Sequence, residues 1–318
     1  PALSITNKTY QSHISQLTLL NDFNNNTFNV PLNKIESFIP KVPNITVTTI
    51  PMDAIKARYY SHYKKYDKAL SLLKTSKKQN PYLFYSDAME SSIYYIKEDY
   101  EKSKIAAEKA FYNLPKNAFH ISQFINAIIK LRDEESLEKA FKLLVRNDHL
   151  NGWKNYLAGV ANISNHGNPI YIKRAKKALK LFPQDDDIKI LFKNISVGQK
   201  NVVYASELAT DANELFNNKN YDRAAELYDL AISYDPYEYS YFENASISYY
   251  SIQNYDRSLE RINVVINEMN PLDGKCEYLK ALNYLQLGLI SDSCELFKTS
   301  LASGYSASET LINQYCSN

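Results

Sequence analysis

Four stretches of the chain repeat one pattern of apolar and polar positions. They read "KKYDKALSLLKTSKKQNP", "KEDYEKSKIAAEKAFYNLP", "NKNYDRAAELYDLAISYDP" and "IQNYDRSLERINVVINEMNP". In each, a tyrosine after a polar turn is followed three residues on by a small residue, then by an apolar stripe at helical spacing, then by a proline. Ala57, Tyr60, Tyr66, Ala69, Leu73 and Pro81 form the first instance. Ser91, Tyr94, Tyr100, Ser103, Ala107, Ala110 and Pro115 take the matching places next. Ala212, Tyr221, Ala224, Tyr228, Ala231 and Pro236 do so again, followed by Tyr249, Tyr255 and Ser258. The pattern predicts helix, short turn, helix. Small residues let two antiparallel helices approach, and rings fill the remaining volume. The acid after each turn tyrosine suits the positive end of a helix, and the proline stops the second helix.

The prolines set the period. Pro81 and Pro115 lie 34 residues apart, Pro183 lies 68 further on, and Pro236 and Pro271 are 35 apart. A fixed period of this size marks a repeat architecture. Two units depart from it: 118–149 keeps "EESLEKAFKLLV" without the usual tyrosines, and 152–185 keeps Gly159, Ala175, Ala178 and Pro183 around an irregular "SNHGNP" turn. The last unit, 274–305, has Ala281, Tyr284, Gly288 and Phe297 but no closing proline, and "SASETLINQYC" reads as a capping helix. Pro183 and Pro236 are 53 apart, which places an additional helix or joint at 186–203. The expected organisation is therefore a helical segment and extended linker over 1–49, an N-terminal array over 50–185, the joint, and a C-terminal array with its cap over 204–318. Within 1–49, "KTYQSHISQLTLLNDF" is helical, "NNNTFN" is a polar loop, "PLNKIESFI" opens a second helix at Pro31, and "PKVPNITVTTIP" is extended.

These residues resemble the tetratricopeptide repeat (TPR) family over most of 50–305. The resemblance implies an all-α solenoid of antiparallel helix pairs in a right-handed superhelix, acting as a non-enzymatic protein-interaction scaffold. A second resemblance, carried by "IPMDAIKARYYSHYKKYDKAL", "NPYLFYSDAMESSIYY", "AFYNLPKNAFH", "YFENASISYY" and "DGKCEYLKALNYLQLG", is to the soluble C-terminal region of bacterial O-antigen ligase- or polymerase-type membrane proteins. It implies a periplasmic or cell-envelope location and a parent whose catalytic part lies elsewhere; a start at proline, where a last membrane span would end, fits it. A carbohydrate-binding accessory for glycan transfer and a cytoplasmic adaptor are the alternative readings.

Composition narrows the partners. Lys and Arg number 37 against 35 Asp and Glu, so no global field points to nucleic acid or an anionic membrane. No run approaches the roughly 20 apolar residues of a membrane span. Seven glycines and no low-complexity tract argue for an ordered chain, and 27 tyrosines suit helix packing in which the ring is buried and the hydroxyl stays wet.

Candidate chemistry is sparse. No HExxH, CxxC, GxSxG, Walker or GxGxxG motif occurs, and His13, His62, His120, His149 and His166 lack metal-ligand spacing, so no catalytic, metal or cofactor residue is expected. His62 lies one helical turn from Arg58, either as an anion-binding pair or as a surface histidine beside a cation. Glu134 and Glu135 suit a helix start better than acid–base work. Lys173, Arg174, Lys176, Lys177 and Lys180 read as a solvated face or, less simply, a phosphate patch. Trp153, the only tryptophan, reads as a packed aromatic or a ligand cage.

What remains is surface. The first helix of each repeat should line a groove, which places Arg58, His62, Tyr85, Ser92, Tyr95, Phe119, Asn126, Lys130, Trp153 and Tyr156 there in the N-terminal half. Asn213, Asn217, Glu243, Tyr250, Tyr278 and Gln286 follow in the C-terminal half. Aromatics among amides suit a protein or peptide segment or a saccharide; the competing reading packs the rings between repeats. No Lys/Asn/Asn/Lys/Arg carboxylate clamp of the family is evident. Cys276 and Cys294 begin antiparallel helices and so lie at opposite poles, whereas the capping helix returns Cys316 to the side of Cys294. A Cys294–Cys316 bridge and three small buried thiols are the two readings, and a bridge would persist in an oxidising space.

Overall fold

The computed structural model describes residues 2–38, 44–269 and 273–316; Pro271, used above to mark the period, lies outside them, as do residues 40–43 of the expected extended run. Helix α1 (Ala2–Asn25) and the four-residue α2 (Ile35–Phe38) precede the repeats. Hairpins follow from α3 (Met52–His62) and α4 (Tyr66–Gln79), then from α5 (Tyr85–Ile96) and α6 (Tyr100–Asn113). Next come α7 (Ala118–Leu131), α8 (Glu134–Leu144), α9 (Leu150–Ile163), α10 (Pro169–Leu181) and α11 (Asp186–Val197). The C-terminal hairpins are α12 (Gln199–Asn217) with α13 (Tyr221–Tyr234), α14 (Tyr239–Ser251) with α15 (Tyr255–Val264), and α16 (Lys275–Gln286) with α17 (Ile290–Ala302). Helix α18 (Ala307–Tyr315) ends the described chain. Among the described residues there is no strand, only an isolated bridge between Ile45 and Pro51.

One backbone device makes each hairpin turn. Lys64, Glu98, Arg132, Lys219, Gln253 and Gly288 all have positive φ, between 52° and 77°. The next residue's N–H then reaches back to a carbonyl five residues earlier: Lys65 to Tyr60, Asp99 to Tyr94, Asp133 to Ile128, Asn220 to Leu215, Asn254 to Tyr249 and Leu289 to Tyr284, at 2.8–2.9 Å. This satisfies carbonyls that the helix end would leave orphaned, and it reverses the chain in a few residues.

Beside each turn, the two helices bury a pair of small residues 12 apart: Ala57 and Ala69, Ser91 and Ser103, Ala212 and Ala224, Ser246 and Ser258, Ala281 and Ser293. Where the residues are serines, their hydroxyls bond across the crossing, Ser91 to Ser103 at 3.0 Å and Ser246 to Ser258 at 2.9 Å. A polar group is thereby buried without an unmet bond. In the irregular middle, Gly152 takes over this role, since a Cβ there would stand 1.7 Å from the Leu144 carbonyl oxygen.

The chain divides into two compact units: the described residues up to Asn165 with Lys173–Leu191, and His166–Ile172 with the residues from Phe192 onward. In the first unit the leading segment shares a core with the first hairpin, for Leu19, Val30 and Ile35 join Met52, Ile55, Tyr59 and Leu73. Asp22, itself fully buried, ties this together. Its carboxylate accepts from the Tyr59 hydroxyl, the Thr27 hydroxyl (2.8 Å) and the Asn29 amide (2.8 Å). Burial alone would raise its pKa, but those donors outweigh burial and hold it below the usual carboxylate range. The expected extended run instead folds back over 45–51. The Thr46 N–H donates to the Ile50 carbonyl at 2.8 Å, and the Thr46 hydroxyl accepts the Ile50 N–H at 3.0 Å, so a side chain supplies a turn that composition did not announce.

Cys294 and Cys316 are joined by a disulfide, Cα atoms 5.6 Å apart, which ties the far end of α18 to the start of α17. Cys276 is a free, buried thiol.

Candidate functional site

An open cleft of about 820 Å³ lies in the first unit. Phe23 of α1, Asn26 and Phe28 from the loop after it, and Thr48 and Ile50 from the fold-back form one side. Arg58, Ser61 and His62 of α3, Lys64 of its turn and Tyr66 of α4 form the next. Tyr85, Met89, Ser92 and Ile96 of α5, Leu83 before it, and Asn117, Phe119 and His120 at the start of α7 complete it. Residues one helical turn apart on α3 (Arg58, His62), and at successive turns along α5 (Tyr85, Met89, Ser92, Ile96), share a face, so the register of the repeats aims them at one space.

The walls are aromatic. Phe23 and Tyr85 sit 5.7 Å apart centroid to centroid, and Tyr85 and Phe119 also 5.7 Å. His62 stacks on Phe28 at 3.7 Å with planes 12° apart. The Arg58 guanidinium lies 4.5 Å from the Phe28 centroid and 5.3 Å from that of Phe23. Its Nη2 donates to Asn26 Oδ1 at 2.9 Å and to the Asp22 main-chain oxygen at 3.3 Å, while the buried Nη1 has no partner. At the floor, His120 is fully buried; its Nδ1–H donates to the Ala110 carbonyl at 3.1 Å and its Nε2 is unpartnered. Burial pushes its pKa down more than that bond and the nearby Asp87 raise it, so the ring is neutral at pH 7. Burial also pushes the Tyr85 phenol up, against the opposing charge of Arg58.

Five residues expected at a groove, Arg58, His62, Tyr85, Ser92 and Phe119, line this cleft. Tyr95 stands apart from it, 5.5 Å from Tyr100, with the Lys130 ammonium 5.9 Å from both rings; Asn126 is exposed. Trp153 and Tyr156 correct the expectation, for both are wholly buried. Trp153 packs edge-on against Phe141 at 6.0 Å under the Lys177 ammonium. The Tyr156 hydroxyl bonds Glu138, which Arg174 grips at 2.7 and 2.8 Å. Both rings turn inward because they pack on Phe141 of α8, Tyr156 at 4.6 Å centroid to centroid.

In the second unit Glu243 is likewise buried rather than offered to a groove. It accepts from Lys275 Nζ at 2.5 Å and from the Cys276 thiol at 3.2 Å. Burial, with Glu243 beside it, pushes that thiol well above its ordinary pKa, which keeps it protonated. Asn213 accepts from the Tyr228 hydroxyl at 2.6 Å, and Asn217 is exposed. Gln286 donates to the Tyr250 hydroxyl at 3.2 Å, and Tyr278 lies 5.7 Å from Phe297 and 5.0 Å from Tyr305.

Sequence reasoning missed Phe23, Asn26, Phe28 and Lys64. The first three lie outside the repeat, Phe23 at the end of a stretch read as helix and Asn26 and Phe28 in one read as plain loop, and the phenylalanines were the one available signal. Among the described residues no helix is long and apolar enough to cross a membrane, and no three His, Cys, Asp or Glu side chains are grouped to hold a metal ion.

No protein-family model matches the chain, and no curated protein matches it. Among solved structures, it is similar to a tetratricopeptide repeat protein from Parabacteroides merdae at 15% identity and a TM-score of 0.37, over 82% of this chain and 96% of that one. It is similar also to the TPR2AB domain of yeast Sti1 in its pHSP90 complex, at 14% identity and a TM-score of 0.33, over 83% and 95%. The chain is an all-α array of TPR-like helix pairs, as its own turns, small-residue crossings and period establish.

Proposed function

We propose that this chain is a non-enzymatic interaction scaffold whose N-terminal unit holds an extended peptide segment of a partner protein. The observation that carries the reading is the cleft, an open trough walled by Phe23, Phe28, Tyr85 and Phe119, with Asn26, Ser92 and Asn117 beside them. Aromatic faces give contact area at low entropic cost, and scattered amides and hydroxyls satisfy a main chain passing between them. Aliphatic Ile50, Leu83, Met89 and Ile96 also line it. Such walls match alkyl side chains better than sugar hydroxyls, each of which needs its own polar partner.

Selection of a random heptapeptide library displayed on phage tests the reading directly. Clones should be recovered on the intact chain and lost on Phe119→Ala of unchanged helix content. Recovery of no clone, or of clones indifferent to Phe119, overturns it.

The compartment belongs to the same proposal. A disulfide between Cys294 and Cys316 supports an oxidising space such as the periplasm or cell envelope. Mass spectrometry of non-reduced peptides from protein taken from its native compartment checks this, and free thiols at both positions would remove the support. The finer reading, that the chain belongs to a larger envelope protein of O-antigen ligase or polymerase type, rests on sequence resemblance alone. Reading the coding sequence upstream of Pro1 for multiple membrane spans tests it.

A further inference from the structure

Arg58 carries a positive charge that no ion pair meets among the described residues. Its guanidinium is part-buried, it bonds only neutral acceptors, the Asn26 side chain and the Asp22 main chain, and its Nη1 is buried without a partner. The nearest acid along α1, Asp22, spends its carboxylate on Tyr59, Thr27 and Asn29. Among the described residues Arg58 forms no ion pair, and neither does Lys64, the second cation of the cleft. No aspartate or glutamate lines the cleft. A part-buried cation without a counter-charge costs free energy unless a ligand supplies one. The stacked phenylalanines and the aliphatic wall restrict what else that ligand carries.

We infer that the cleft selects an acidic peptide segment, in which an aspartate or glutamate side chain lies against Arg58 and Lys64 while a neighbouring aliphatic or aromatic side chain enters between Phe23, Phe28 and Phe119. This rests on the peptide-binding reading above and adds the charge of its ligand. The charges are complementary in the sense that matters for selection: an anion gains a charge-assisted hydrogen bond, and a basic segment meets two cations without relief. Because the cleft is open, the carboxylate belongs to a side chain of a segment passing through.

The library above decides it, because peptides fused through their C-termini present carboxylates only as side chains. Recovered clones should be enriched in Asp or Glu next to Leu, Ile or Phe. A synthetic peptide of the strongest clone, blocked at both ends, should bind at least about tenfold more tightly than its Gln or Asn counterpart, and weaken as salt is raised. Arg58→Gln should erase that difference, the acidic peptide losing far more affinity than the neutral one. Lys64→Gln, at an exposed site outside every ion pair, should reduce it without touching the fold. Neutral or basic clones, or equal affinity for the acidic and neutral peptides, overturn the charge inference and leave the peptide reading standing. Failure to recover any clone overturns both. Binding of an oligogalacturonate in the cleft, with no peptide bound, replaces the peptide by an acidic saccharide.

Discussion

Ser258 donates a hydrogen bond of 2.8 Å to the main-chain oxygen of Ser246, 12 residues back on the facing helix, and the two hydroxyls lie 2.9 Å apart. Ser103 and Ser91 repeat the arrangement in the first unit, at 3.0 Å for both contacts. Ala57 with Ala69 and Ala212 with Ala224 make the same crossing without hydroxyls, so space rather than polarity is the requirement. Replacing both Ser246 and Ser258 by Ala should therefore change stability by less than about 1 kcal/mol, since both partners leave together. Ser258→Leu should cost about 1–3 kcal/mol by overpacking. Chemical denaturation of the three proteins checks this, and a harmless leucine would mean that the helices do not cross at these residues.

Trp153 separates core from groove. It is fully buried, so Trp153→Ala should lose about 3–5 kcal/mol, whereas Trp153→Phe should cost much less, because the indole N–H it removes has no partner. Its fluorescence, the only tryptophan signal of the chain, should be blue-shifted and poorly quenched by acrylamide. Water-like emission would return this ring to a surface.

At the C-terminus the disulfide closes a loop with a sequence separation of 22. Reduction, or Cys316→Ser, should destabilise the chain by about 3 kcal/mol in the chain-entropy model. Amide exchange should rise first in α18 and the start of α17. Unaltered exchange there after reduction would show that the helices hold without the tie.

Asp133 makes one part of the acid limb specific. Burial raises its pKa, but Lys104 at 2.5 Å and the Ser136 amide and hydroxyl outweigh burial and hold it down to about 2. A carboxylate depressed in the folded state contributes stability that is complete above its unfolded value of about 3.9 and is lost as pH falls from there through about 2. Asp133→Asn, which keeps a capping side chain, should cost about 1 kcal/mol at pH 7, and the difference should shrink as pH falls towards about 2 and vanish below it. A constant difference between the two proteins across that window would contradict the assignment.

The exposed Gln253 sits at φ 64° in its hairpin turn, a conformation that costs a residue with a Cβ. Gln253→Gly should stabilise by about 0.5–1 kcal/mol, since the native conformation then carries no such strain. A thermal or denaturant midpoint that falls instead would mean that the side chain contributes at the turn.

Helix pairs were legible in the sequence because helical period, small-residue spacing and stop signals are properties of consecutive residues. Tyr66 with Ala69 and Tyr221 with Ala224 announce an amphipathic helix and its close neighbour without any long-range knowledge. The left-handed turn residues were not legible, since Lys64, Glu98, Arg132, Lys219 and Gln253 are not residues that favour positive φ. Only the requirement to pair the flanking helices forces them there, and Gly288 alone advertises it. Arg58, His62, Tyr85, Ser92 and Phe119 line one cleft, for in regular repeats position within the helix decides direction. Register failed for Trp153 and Tyr156, whose rings are buried against Phe141 instead. It was silent on Phe23, Phe28 and the missing counter-charge of Arg58. Those depend on how α1 and its loop, which share no period with the rest, close over the first hairpin, and packing between distant segments has no local signature.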